Sequence, residues 1–150
     1  TPPEIIDRTR FLFGDIDLDP CSNLGAPNVP ATQRFTVEDN GLAHPWHGLV
    51  YMNPPYGRVI GEWVGKLSQE YQAGRVSQAI VLVPARTDTE WFRQLRDCAL
   101  CFVDGRLRFS GQENSAPFPS VVAYFGENLV GFVGAFHNLG DIWTRWEQPA

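Results

Sequence analysis

Lysine is nearly missing from this 150-residue chain: Lys66 is the only one, and the remaining cations are arginines. With a net charge of −5 and a pI near 5.1, the chain lacks the basic excess of a protein that coats nucleic acid by releasing counterions. A local basic face remains open, because arginine forks suit phosphates. Long apolar runs are also missing; no stretch approaches the length that crosses a bilayer, so no membrane partner is expected. The cysteines Cys21, Cys98 and Cys101 are odd in number, which excludes a closed disulfide framework and suggests reduced thiols. No basic-then-apolar leader stands at Thr1-Pro2-Pro3, so secretion is not expected and the cytoplasm is the expected compartment. Repeats, low-complexity tracts, charge blocks and linkers are absent too. The expectation is one domain over residues 1–150, long enough to bury a core and too short to add a separate recognition domain.

What the chain does contain is alternation of strand and helix patterns. Phe13 to Asp19 reads as a strand ending in Asp17-Leu18-Asp19-Pro20, followed by a polar loop up to Ala31. Gly48 to Met52 reads as a second strand, stopped by the prolines after it. Between Val59 and Gly74 the apolar residues Ile60, Trp63, Val64, Leu67 and Tyr71 keep helical spacing, with Gly74 as the stop. The continuous apolar run Ala79 to Pro84 has the pattern of a strand covered on both faces in a parallel sheet. Asp88 or Thr89 can cap a helix bearing Trp91, Phe92 and Leu95. Strands follow near Leu100 to Asp104 and Ser120 to Phe125, then a short helix over 128–139 and a strand over 141–146. Such an α/β sheet binds ligands at the carboxyl ends of its strands. Two motifs fall there: Asp19-Pro20-Cys21 and Asn53-Pro54-Pro55-Tyr56.

The second motif answers a chemical need. An exocyclic amine on a heteroaromatic ring has a delocalised lone pair and is a poor nucleophile. The side-chain carbonyl of Asn53 and the backbone carbonyl of Pro54 can accept both of its N–H hydrogens, localising the lone pair for attack on an electrophilic methyl. Pro54 and Pro55 fix φ and stiffen these acceptors before substrate arrives. Tyr56 offers a flat face for the base, worth roughly 1–3 kcal/mol in comparable platforms. A methyl donor of the S-adenosylmethionine kind needs only positioning, without a metal, and a base inside a duplex would have to be flipped out. The plainer reading is that Asn-Pro-Pro simply ends a strand in a turn.

The ordered set of motifs resembles the phage-type DNA N6-adenine methyltransferases, the Dam-like family of phages and prophages. The carrying pieces are Thr1-Pro2, Leu18-Asp19-Pro20-Cys21, Glu38-Asp39-Asn40-Gly41-Leu42 before Trp46, and Asn53-Pro54-Pro55-Tyr56. They continue with Val83-Pro84-Ala85-Arg86-Thr87-Asp88-Thr89-Glu90-Trp91-Phe92, Gly105-Arg106-Leu107-Arg108-Phe109 and Ala116-Pro117-Phe118-Pro119-Ser120. The resemblance implies a reduced Rossmann-like fold with a mostly parallel central sheet flanked by helices, and transfer of a methyl from S-adenosylmethionine to adenine N6 in DNA, leaving S-adenosylhomocysteine. It implies Asn53, Pro54, Pro55 and Tyr56 as the catalytic set. Thr1 and Pro2 would lie near the methionine moiety, Asp19 with Pro20 and Cys21 near the amino or ribose groups, and Asp39 near the adenine or ribose. The Gly-x-Gly turn usual after the first strand of such enzymes is replaced by Cys21-Ser22-Asn23-Leu24-Gly25, so another cradle is required.

Further candidates have plainer readings beside them. Arg86, Arg106 and Arg108 can contact phosphates or stand as solvated charges, and Phe118 can close over a flipped base or merely pack. Asp17 and Asp19 share a strand face but lack a third metal ligand. Cys98, Cys101, His44 and His47 have spacings compatible with zinc, although small buried thiols are the commoner outcome; the expectation is a site without metal. Two rivals stay open: a methyltransferase for ribosomal RNA guanine or protein glutamine, and a non-catalytic DNA-binding module that retains the fold.

Overall fold

The computed structural model describes residues 1–24, 28–109 and 114–147. Helix α1 (Pro3–Phe13) opens with Pro3 where a missing N–H costs nothing, has Glu4 in its first turn and Arg10 in its last, and ends at Gly14 with φ of 83°. Strands β1 (Ile16–Asp19), β2 (Ala31–Arg34) and β3 (Gly48–Met52) follow, with a single 3₁₀ turn at Gly41–Ala43 before β3. Helix α2 (Ile60–Gln72) leads to β4 (Val76–Pro84), α3 (Glu90–Arg93) to β5 (Ala99–Val103), and β6 (Ser120–Phe125) through α4 (Leu129–Phe136) to β7 (Gly140–Trp143).

The described strands form one sheet in the order β2-β1-β3-β4-β6-β5-β7. The pairs β1/β2, β1/β3 and β3/β4 are parallel, whereas β4/β6, β5/β6 and β5/β7 are antiparallel. The sheet is therefore mixed, and the expectation of a mostly parallel one is corrected. The strands β1 to β5 still point one way; β6 and β7 point the other. β5 and β6 are neighbours in the sheet with no helix between them among the described residues, and neighbouring strands joined without a crossover run antiparallel.

Alternate residues of the central strands feed two cores. Val81, Val83, Val121 and Ala123 join Ile60, Val64, Leu67 and Phe92 on one face. Ile80, Leu82, Val122 and Tyr124 join Ile5, Ile6, Phe132 and Phe136 on the other. Helices α2 and α3 thus cover one side and α1 and α4 the other, the layering expected from period-2 apolar strands. Cys98 and Cys101 belong to opposite cores and are buried. No group of three or more metal-ligating side chains occurs among the described residues. No helix among them is long and apolar enough to cross a membrane.

Several elements differ from expectation. Strand β2 is an addition, with only Ala31 buried. Helix α3 is one short turn with Thr89 at its N-cap in extended backbone, as expected, but without a side-chain cap bond, since Thr89 Oγ1 donates to the Arg86 carbonyl at 2.7 Å. Helix α4 forms despite Gly131 and Gly134, its start fixed by Asn128 Oδ1 accepting the Gly131 N–H at 3.0 Å. Strand β7 ends at Trp143, three residues short of the expected end.

Candidate active site

From β1 the chain moves outward to β2, and from β3 it moves the opposite way to β4. Connections that diverge like this leave a crevice beyond the carboxyl ends of β1 and β3. The first motif leaves β1 there and the second leaves β3. Phe118 and Pro119 enter β6 from the same edge, tied to the end of β4 by the Ala85 N–H donating to the Pro119 carbonyl at 2.9 Å.

Three cavities open along this edge. The largest, about 630 Å³, has Pro20, Phe35, Gly41 and Trp63 in its walls and Asn53 to Tyr56 along one side. A small one of about 70 Å³ lies over Asp19, bounded by Thr1, Asn28 and Val29. A third, about 320 Å³, sits between Tyr56 and the segment carrying Asn114 to Phe118. Asn53 lines the first and second, while Tyr56 and Phe109 line the first and third. The second motif is therefore the junction of all three.

Hydrogen bonds orient the junction. Asn53 Nδ2 donates to Thr1 Oγ1 at 3.2 Å, and the Tyr56 hydroxyl donates to Asn53 Oδ1 at 3.0 Å. That hydroxyl also lies 3.4 Å from the Leu82 carbonyl. An amide oxygen has two lone pairs, so Asn53 Oδ1 keeps one for a further donor. The Tyr56 ring meets Phe118 edge to face at 5.4 Å and Phe109 at 6.3 Å. Burial pushes the Tyr56 hydroxyl far above the ordinary phenol range, so it stays protonated and donates.

Asp19 is only 3% exposed. Its Oδ1 accepts the Cys21 N–H at 3.1 Å, yet burial outweighs that bond and the nearby Arg34 charge and lifts the carboxyl to about 6. Pro20 and Cys21 line the large cavity, and the Cys21 thiol is pushed well up by burial, then by Asp19, so it remains a thiol. Asp17 is spent elsewhere: its Oδ2 accepts the Leu49 N–H at 2.8 Å. Pro2 is buried under α1, its carbonyl accepting the Ile5 N–H at 3.1 Å.

The structure does not bring every expected residue to a cavity wall. Asp39 lines none of the three; it is exposed, and its Oδ2 accepts from the Thr36 N–H at 2.8 Å and the Thr36 hydroxyl at 3.1 Å, bonds that hold it below the usual carboxylate range. It braces the loop whose Thr36, Val37 and Asn40 do reach the large cavity. Arg86 and Arg106 stand exposed at the ends of β4 and β5, outside the cavity walls. Sequence reasoning missed Ser22, Trp63 and Phe109. Trp63 is visible as a residue of the helix, but its spacing marks it only as core; Phe109 ends the Gly105-Arg106-Leu107-Arg108-Phe109 motif, which by itself gives it no role.

Such an architecture defines an α/β protein with a crevice at its strand ends, beside the Asn53 amide and the Tyr56 ring. The chain belongs to the DNA N-6-adenine-methyltransferase (Dam) family, which matches residues 1–125. The match ends with the last residue of β6 and takes in all three cavities. A search of curated proteins gave no match.

Proposed function

We propose that this chain transfers a methyl group from S-adenosylmethionine to the exocyclic N6 of an adenine rotated out of DNA, on a single Rossmann-like domain. The observation that carries the reading is the position of Asn53, where the small polar cavity over Asp19 meets the large apolar one. A ligand with a charged amino-acid end and a purine end would present its middle at that junction. The residues fit it: a buried carboxylate beside the small cavity suits an ammonium, and aromatic walls suit a purine.

When bound, S-adenosylmethionine supplies a methyl on a sulfonium, which moves in one displacement without a metal. The chain's part is positioning. Asn53 Oδ1, with one lone pair left after the Tyr56 hydroxyl, and the Pro54 carbonyl accept the two amine hydrogens and localise the nitrogen lone pair. Pro54 and Pro55 hold those oxygens without entropy cost on binding. Tyr56, with Phe118 against it, supplies the stacking surface, and the exposed Arg86 and Arg106 are the cations to contact phosphates.

The test is transfer of labelled methyl from S-adenosylmethionine to DNA, RNA or protein. Adenine in DNA is the expected acceptor, and labelling of RNA or protein alone would overturn that assignment. Asn53→Ala should cut transfer by at least about 100-fold, a loss of the size seen when a positioned catalytic contact is removed. Calorimetric affinity for S-adenosylhomocysteine should stay within a few-fold. Unchanged turnover would refute the role of Asn53.

A further inference from the structure

The large cavity has one wall that no motif announced. Trp63 projects from the first turn of α2 and lines the cavity. Behind it lies Trp46, fully buried and near-parallel to it at 5.9 Å and 21°. Trp46 is itself fixed: its ring N–H donates to the Gly41 carbonyl at 2.9 Å, and its backbone N–H donates to Glu70 Oε2 at 3.1 Å. The wall is thus rigid before any ligand arrives, which lowers the cost of binding.

Gly41 stands against the same wall. A Cβ there would lie 2.5 Å from the Pro20 carbonyl oxygen and 3.2 Å from the Trp63 ring, so this point of the cavity tolerates no side chain. At the junction with the small cavity, the Ser22 hydroxyl is buried and has no hydrogen-bond partner among the described residues, while Ser22 lines both spaces. A buried hydroxyl without a partner is costly, and a ligand hydroxyl would satisfy it.

Resting on the cofactor reading above, we infer that Trp63 is the wall on which the cofactor's purine stacks, that Gly41 keeps the space open, and that Ser22 hydrogen-bonds the sugar. The ligand then lies with its purine toward α2 and its amino-acid end over Asp19. Trp63 is the residue that sets this direction.

The experiment titrates adenosine and S-adenosylhomocysteine separately into the full chain, following intrinsic fluorescence and heat. Both ligands should quench tryptophan fluorescence, and Trp63→Phe should lose most of the quench while keeping binding. Trp63→Leu should weaken both ligands by at least about fivefold, the lower end for one aromatic stack. Ser22→Ala should weaken adenosine, while adenine, titrated in parallel as the sugar-free control, should bind the parent and the variant alike. A persistent quench in Trp63→Phe, or affinities within twofold of the parent in Trp63→Leu, overturns the inference while leaving the cofactor reading intact. If the parent chain binds neither ligand, both fall together. Should Trp63→Leu fail to fold, as judged by its melt, the Trp63→Phe quench decides alone.

Discussion

At the residue scale, Asp19 carries the clearest pH signature. Burial lifts its carboxyl from 3.8 to about 6, so between those values the folded chain holds a proton that the unfolded chain has released. Its contribution to stability is accordingly full below pH 4 and lost as pH rises through 6. Ligand binding has the opposite sense, because only the ionised carboxylate pairs with an ammonium. Affinity for S-adenosylhomocysteine should fall as pH drops through 6, and Asp19→Asn should bind more weakly at pH 7.5 but lose that dependence. Calorimetry from pH 7.5 to 5 reads both, and an unchanged slope in Asp19→Asn would remove Asp19 from the site. Tyr56 offers a second residue-level measurement. Tyr56→Phe keeps the ring and removes the bond to Asn53 Oδ1, so kcat should fall several-fold with little change in KM for DNA; Tyr56→Ala should raise that KM. This division of labour was half legible. The carbonyls and the ring follow from Asn53-Pro54-Pro55-Tyr56 as letters, whereas the hydroxyl's bond to Asn53 depends on how the turn is folded.

Among the elements, α2 was readable because its apolar spacing is helical and Gly74, with φ of 82°, closes it. Strand β2 was unreadable for a physical reason: Thr32, Gln33 and Arg34 are polar and exposed, and the segment is a strand only because β1 offers it a ladder. What the helical pattern also hid is how α2 is fastened. Glu70 is 5% exposed and accepts the Trp46 N–H as well as two bonds from Arg75, at 2.7 and 3.1 Å. The Arg75 bonds lead in holding its carboxyl down at about 2. A depressed carboxyl stabilises the fold above its unfolded value of 4.5, and that contribution fades as pH falls from there toward 2. Glu70→Ala should cost about 1–3 kcal/mol, the cost of leaving a buried donor unmet, and should flatten the acid limb of a stability–pH curve. A melt unchanged at pH 7 would show that the Glu70 bond does not hold Trp46 in place.

For the whole molecule, the sheet separates the crevice from its far edge. The crevice lies between β1 and β3, while β7 lies at the opposite end, beyond β4, β6 and β5. Gly140 pairs with Val103 in that far ladder, and a Cβ on it would collide with the Phe102 carbonyl oxygen. Gly140→Ala should therefore lower stability by roughly 1–3 kcal/mol, as overpacking does, which is a few degrees in Tm for a chain of this size. Ligand affinity per folded molecule should be untouched. Loss of affinity without loss of stability would mean that the edge and the crevice are coupled.

The sequence by itself determined the layered α/β class, the strand ends at Asp19 and Met52, and the chemistry available to Asn-Pro-Pro-Tyr, because each depends on neighbours within a few residues. Strand direction beyond β4, the edge strand β2, and the meeting of Trp63, Gly41 and Ser22 around one cavity were decided only by the tertiary structure. A fully buried strand such as β6 reads the same in either direction, and residues brought together from a loop, a turn and a helix share no spacing that a linear pattern can carry.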